Sequence, residues 1–434
     1  MNILFEFIQN NIRGFIVLAL TGGFAAALAQ CGIALFHDAS RQFAADVRFN
    51  SLDRKIWFKS AFPVSIGVLL GIGLPFSLIS GYILVHLIFV GTDVIGACID
   101  GKGLHKALIA GIIGAVYAMV LRLVLWIFFL GTECMYIRLT DYTGIISFAV
   151  IYSFVAVPAI TVFKRSGTAK GILCSIVTVI AGVTIGLLRE PFIFNAAAAI
   201  TAGLLCAVLL VASKKASDGL VSIAAEFAAN PKILIKSAPL VFIQGVLYTA
   251  TINSGMMAEG PQSLLSAAAD DRLAAGAIAL SRAVSFIPIK SFTALTSGVF
   301  PVDGIGFAAA AAFMFPSEGV WILFTAVVGG LLMLTELALV MPISKMCEKR
   351  PGLKEFSEDM RTISWSFLEF ALLAGCIYGS LKMGSMLGVA LISGTYMFNS
   401  FTGRKLPQVS VALIAFIVVY ILSNITRAVL GVVI

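Results

Sequence analysis

Long apolar stretches, separated by short breaks rich in charge, Gly or Pro, run through all 434 residues of the chain. Fourteen can be drawn between the breaks: 12–36, 60–74, 76–98, 105–131, 143–163, 171–188, 191–212, 237–255, 273–289, 291–316, 318–342, 363–382, 385–401 and 407–432. A bilayer core about 30 Å thick takes about 20 apolar residues per helical crossing. The pattern therefore predicts an all-α, polytopic helical membrane protein of about 10–14 crossings. Between the seventh and eighth runs, 218–232 interleaves Glu226, Asn230 and Pro231 with Leu220, Ile223, Ala224 and Phe227. That spacing suits a short helix on the membrane surface, which would join a first half, 1–217, to a second, 218–434.

Two runs are short for a crossing, 60–74 and 273–289, and both meet a proline, Pro75 and Pro288. Proline removes a backbone donor and crowds the preceding turn, so a helix breaks there unless protein or water satisfies the freed groups. Each of 60–98 and 273–316 is then either two crossings or a re-entrant hairpin. As kinked helices they are structural; as broken helices their exposed backbone dipoles can hold a substrate or an ion.

Charge orients the runs. The chain carries 30 Lys and Arg against 22 Asp and Glu, a net of +8. With the N-terminus outside, 22 of the 30 cations fall in alternate loops, among them Arg54, Lys55, Lys102, Lys164, Arg165, Lys214, Lys290, Lys349 and Arg404. Cytoplasmic loops concentrate Lys and Arg, so these loops are inside and both termini are periplasmic. The excess is topological and does not point to nucleic acid. Seven crossings per half would insert the second half upside down, the inverted-repeat plan of many secondary transporters. An order of Pro, Ser, Ser-Gly and Asp-x-Ile-Gly recurs in both halves: Pro75, Ser77, Ser80-Gly81 and Asp93-Val94-Ile95-Gly96, then Pro288, Ser291, Ser297-Gly298 and Asp303-Gly304-Ile305-Gly306.

Ionisable groups in apolar runs cost roughly 2.5–3.5 kcal/mol each at mid-membrane and need a partner or a function. His86, Asp93, Arg122, Arg282, Asp303, Glu336, Glu369 and Arg427 lie in such runs. Arg122 and Arg282 cannot shed their charge, so each must meet a carboxylate, helix carbonyls or an anionic ligand. Asp93 and Asp303 sit in Gly-flanked segments, 91–97 and 300–307, where the backbone can open. There a carboxylate can bind a coupling proton or sodium ion, or else cap a helix. Gln30, Gln244, Asn253 and Asn195 place amides in apolar helices, able to bond a polar solute or to join helices. Pairs such as Gly375/Gly379 let helices approach closely, within the chain or in a homodimer.

Composition excludes several classes. At 60% hydrophobic and 12% charged, the chain is not an ordinary soluble enzyme, for which about 25% charged is usual. Seven cysteines, never in C-x-x-C spacing, argue against a disulfide framework or zinc site. GACIDGKG at 96–103 fails the phosphate-loop pattern at Gly103, and no loop is long enough for a nucleotide-binding domain. Glu6 and the missing basic start argue against a cleaved signal peptide. No cofactor is expected.

The opening MNILFEFIQNNIRGF, ALAQCGIALFHDASRQF at 27–43 and PVDGIGFAAAAAFMFP at 301–316 resemble the YhfT-type family of bacterial inner-membrane transport proteins over the full length. The resemblance implies an inner-membrane location and transport, and brings no catalytic motif or residue roles. The sequence thus reads as an ion-coupled secondary transporter of a small polar, anionic or zwitterionic metabolite. Its expected substrate residues are Gln30, Ser80, Gly81, Arg122, Gln244, Asn253, Arg282, Ser297 and Gly298, with Asp93 and Asp303 for the coupling ion. An intramembrane enzyme acting on a lipid-linked substrate, or a membrane subunit of a larger complex, are the competing classes.

Overall fold

The computed structural model describes residues 2–35, 73–99, 101, 103–134, 142–189, 194–212, 235–297, 300–301, 306–316, 319–349 and 352–430. Among them the regular structure is helical apart from four two-residue strands. In chain order the elements are α1 (Asn2–Asn10), α2 (Ile12–Gln30), β1 (Ala34–Leu35), α3 (Leu74–Ser80), β2 (Ile83–Leu84), α4 (Val85–Cys98) and α5 (Leu104–Cys134). Then come α6 (Thr143–Ser166), α7 (Thr168–Arg189), α8 (Ala196–Ala212), α9 (Ala238–Asn253), β3 (Met257–Ala258), α10 (Pro261–Ala268) and α11 (Arg272–Ser297). The chain continues with β4 (Phe300–Pro301), α12 (Gly306–Met314), α13 (Trp321–Lys349), α14 (Gly352–Lys382), α15 (Met386–Phe401) and α16 (Gln408–Leu430).

Among the described residues six helices are long and apolar enough to cross a membrane: Ile12–Gln30, Leu104–Gly131, Gly144–Ser166, Thr168–Leu188, Thr362–Lys382 and Gln408–Arg427. In hydrocarbon every backbone group must be bonded within the protein, which a helix achieves alone. Their outer faces suit that medium. Along α5, Leu108, Ile112, Val116, Val120 and Val124 form a stripe one helical turn apart, each at least 47% exposed. A soluble protein rarely leaves so continuous an apolar face open. The surface helix expected at 218–232 lies outside the described residues.

The helices sort into two packed groups. In one, α2 packs on α4, α5 and α9, while α9 packs on α12 and α13, and α11 on α10, α12 and α13. In the other, α6, α7 and α8 pack together and α14 joins α6, α15 and α16. The groups meet where α10 touches α6, α11 touches α8 and α14, and α3 touches α16. Each group draws on both halves of the sequence.

Among the described residues a left-handed glycine precedes three of the four strands: Gly32 before β1, Gly81 before β2 and Gly255 before β3. Pro75 lies in the first turn of α3, a position whose missing N–H costs little, and α3 ends at Gly81 in the left-handed region (φ +77°). Helix α11 runs unbroken past Pro288 to Ser297, 26 residues or about 39 Å, so of the two readings of this run the broken helix does not form at Pro288. After β4, α12 returns antiparallel along α11: Gly306 lies against the Ala279 carbonyl and Gly276 against Met314. Residues 91–97 are also continuous helix within α4, so the opening expected around Asp93 does not occur.

Both α2 and α9 end in the same way. Gly32 and Gly255 take positive φ (+65° and +71°), a conformation open to glycine. The amides of Cys31, Gly32 and Ile33 bond the carbonyls of Ala27, Ala29 and Leu28, and those of Ser254, Gly255 and Met256 bond Ala250, Ile252 and Thr251. Each turn leads into a strand, β1 or β3. These pair parallel with the strands at the other two breaks: Ala34 with Phe300 and Leu35 with Pro301, Ile83 with Met257 and Leu84 with Ala258.

Candidate functional site

The seam where α2 and α4 meet α9 is apolar with a few embedded polar groups. Thr21 and Thr251 share a hydrogen bond of 2.7 Å across it. Phe89 of α4 stacks on Tyr248 of α9, ring centroids 5.9 Å apart. Because β2 opens into α4 beside β3, which follows α9, both helices lead away from the paired strands. One turn beyond the stacked rings, α4 carries Asp93 and α9 carries Gln244, each fully buried. Neither side-chain atom of Gln244 has a hydrogen-bond partner among the described residues. A buried amide left so costs roughly 1–3 kcal/mol for each unmade bond, enough to select for a guest.

The other amides divide. Gln30 donates to the Gly101 carbonyl at 2.7 Å, tying the end of α2 to the loop after α4. Asn253 stands in the matching place before β3, and both its amide atoms are buried without partners among the described residues. Asn195 accepts from the Ala198 amide and caps α8.

Ser80 and Gly81 shape the first break. The Ser80 hydroxyl donates to the Phe76 carbonyl at 2.8 Å, and Ser77 Oγ accepts from the Leu84 amide at 2.9 Å. Arg122, from α5, donates through Nη1 to the Gly81 carbonyl at 2.8 Å and lies over the Phe7 ring. Ser297 is the last residue of α11, and its side chain, Gly298 and Asp303 fall outside the described residues. Ser80-Gly81 and Ser297-Gly298 nevertheless precede β2 and β4 by the same interval, whereas Asp93 and Asp303 do not match. Asp303 follows β4 as His86 follows β2.

Arg282 meets a residue absent from the sequence candidates. Its Nε lies 3.5 Å from Glu259 Oε1 and its Nη1 donates to Gln262 Oε1 at 3.0 Å. Glu259, 3% exposed, directly follows β3, in a stretch that reads as a polar loop. The signal lay in its neighbours Met256, Met257 and Ala258, an apolar triplet that the structure buries.

Outside the candidate spans, Asp359 accepts from Arg165 Nε at 2.5 Å and pairs with Lys164 at 2.7 Å. Burial raises its pKa, but the hydrogen bonds from Lys164 and Arg165 outweigh that and hold the carboxyl below its usual range.

Helices of membrane-spanning length and apolarity, with a buried polar seam beside two strand pairs, are consistent with an all-α protein of membrane type. The chain belongs to the YhfT family, described as proteins of unknown function, whose model matches residues 14–432. It is 23% identical to the uncharacterized protein YhfT of Escherichia coli (strain K12), over 94% of this chain and 96% of that one. No solved structure matches it.

Proposed function

We propose that the protein is a secondary active transporter of the bacterial inner membrane. It carries a small polar metabolite, anionic or zwitterionic, in exchange with or alongside a proton or sodium ion, without enzymatic turnover. The observation that carries this reading is Gln244, fully buried with both amide atoms unpartnered among the described residues, one helical turn from Tyr248, whose ring stacks on Phe89 in the helix of Asp93. An amide offers one donor group and one acceptor to a polar solute, and a buried carboxylate can change charge as the solute moves. Asn253 and the Ser-Gly pairs complete the polar lining in this reading. Helix α4 starts without a side-chain cap, so its positive end favours an anionic group nearby.

The two halves, 1–217 and 218–434, are in this reading inverted repeats. The matching turns at Gly32 and Gly255 support it, as does the reciprocal pairing of β1 with β4 and β2 with β3. An elevator-type motion would slide the group carrying the breaks against the group of α6–α8 and α14–α16. Asp93 and Asp303 bind the coupling ion.

The test is uptake of a radiolabelled panel of organic acids and amino acids into proteoliposomes of the purified chain. Some member should accumulate under an imposed ion gradient, and Gln244→Leu should reduce its uptake at least about tenfold, the loss of one buried polar contact. Asp93→Asn should keep exchange but lose gradient-driven accumulation. Full uptake by Gln244→Leu would overturn the site.

A further inference from the structure

Arg122 carries a permanent charge on the face of α5 that turns into the protein. Ala118 and Leu125, one turn away on that face, are buried, and α5 packs on α2 and α4. A guanidinium keeps its proton at any physiological pH, so in such a place it calls for a counter-charge or a ligand. Among the described residues it meets no carboxylate. The ionisable group within reach of its charge is the Tyr82 phenol, which is neutral at physiological pH.

The donors that remain have a definite shape. Nη1 is spent on the Gly81 carbonyl at 2.8 Å, while Nε is buried with no hydrogen-bond partner among the described residues. The N–H groups of Nε and Nη2 point the same way, and that edge of the fork takes the two oxygens of a carboxylate side by side. The Phe7 ring, itself stacked on Trp126 at 4.5 Å, lies 5.7 Å from the guanidinium carbon. A ring over the face of the cation leaves the in-plane donors to a ligand and excludes water that would compete for them. Arg122 is thus held by two contacts that use neither Nε nor Nη2.

The adjoining strand pair adds neutral polar groups. Gly81 and the half-buried Tyr82 lead into β2. Asn253, just before the partner strand β3, has both amide atoms buried without partners among the described residues. Arg272 and the exposed Asp270 also lie within electrostatic reach of Tyr82, but their charges oppose one another. Helix α4 runs from β2 to the loop after Cys98, 14 residues or about 21 Å. The alternation of charge makes that loop inner, so Arg122 stands towards the outer end of the seam. Gln244 lies deeper, about 14 Å along α9 from Asn253.

We infer that Arg122 is an anion-binding site at the outer end of the seam, holding the carboxylate of a small organic acid or amino acid through Nε and Nη2. For its role this rests on the carrier reading: the solute's charge is held here before the solute passes to Gln244. It narrows the solute to one that bears a carboxylate.

Binding alone tests the site, on the full purified chain in nanodiscs of phosphatidylcholine. The probes are acetate, succinate and glutamate, with chloride at equal ionic strength as the control. At least one carboxylate should raise the thermal midpoint saturably where chloride does not. Arg122→Lys keeps the charge but lacks the fork, and should weaken that binding about tenfold. Arg122→Gln can still donate to the Gly81 carbonyl, and should weaken it about a hundredfold. An arginine kept only to hold Gly81 behaves differently: its variants melt lower, yet the carboxylate stabilises them as it does the wild type. That result, or no carboxylate effect on the wild type, would overturn the assignment. So would an Arg122-dependent stabilisation by phosphatidylglycerol in the nanodisc that displaces the carboxylates, because the anion would then be a lipid phosphate. If Arg122→Gln does not fold, the affinity of Arg122→Lys decides. Carboxylate uptake that survives both substitutions overturns this site and leaves the carrier reading standing. Arg122-dependent binding in a protein that moves no solute overturns the carrier reading and leaves the site.

Discussion

Asp359 shows how a single carboxylate can be read at the level of its proton. It is 7% exposed and takes two cations, while Lys164 and Arg165 are themselves 56% and 30% exposed, so solvent screens much of the attraction. A carboxyl held below its usual value of 3.8 stabilises the fold at pH above that value, and the contribution vanishes as pH falls through the lowered folded value. Asp359→Asn should therefore cost about 1–2 kcal/mol at neutral pH, seen as a lower thermal midpoint in detergent. The gap to wild type should close below about pH 4; a gap independent of pH would show that the carboxylate charge is not what matters. The neighbouring chemistry was only partly legible. Gln244 and Asn253 stood out as amides in apolar runs, and Arg282 as a charge needing a partner. Which amide is bonded depends on contacts across the chain, as when the Gly101 carbonyl accepts a hydrogen bond from Gln30 Nε2. Glu259 was hidden because a buried charge between helices has the local sequence of an exposed turn.

Helix existence is written in apolar length, which is why α5 to α9 and α13 to α16 lie where the runs predict them, while a proline by itself does not fix an interruption: α3 starts at Pro75, but α11 does not stop at Pro288. Pro288 is carried inside α11, and the chain breaks instead where Ser-Gly precedes a strand. The strands need a partner from the other half of the sequence, a long-range fact that no local pattern holds. Close helix crossings follow the same logic. The small-residue seam of α2 on α5 uses Gly22 and Gly23 against Gly111 and Gly114, and a Cβ on Gly114 would stand 2.6 Å from the Gly22 carbonyl oxygen. That atom belongs to backbone and cannot swing away. Gly114→Leu should force the helices apart and cost about 2–3 kcal/mol. Gly131→Ala, on the same helix with nothing within 4 Å, should stay within about 0.5 kcal/mol of wild type or gain slightly. Equal thermal midpoints for the two variants would mean that the crossing is looser than its distances.

For the whole molecule the alternation of charge makes a stronger claim than any one helix, because it assigns every loop to a side. Contacts between distant parts of the chain can be set against that assignment. Lys164 and Arg165, on the inner side by charge, pair with Asp359 at the start of α14, another inner loop. Lys170 bonds the Leu210 carbonyl and Gln30 the Gly101 carbonyl, again inner ends on both partners. Among positions that the charge rule assigns to the outer side, Arg272 bonds the Ala312 carbonyl near the end of α12. These bonds owe nothing to the count of Lys and Arg, yet each joins positions assigned to one side. The parity of the crossings is therefore testable with two residues. In a chain stripped of its seven cysteines, Val320→Cys, at an exposed outer turn, should react with a membrane-impermeant maleimide in intact cells with an opened outer membrane. Lys405→Cys, exposed in the loop between α15 and α16, should react only in inverted vesicles. The reverse pattern would place the cation-rich loops in the periplasm, against the rule that orients membrane helices, and labelling of both from one side would break the odd number of crossings on which an inverted second half depends.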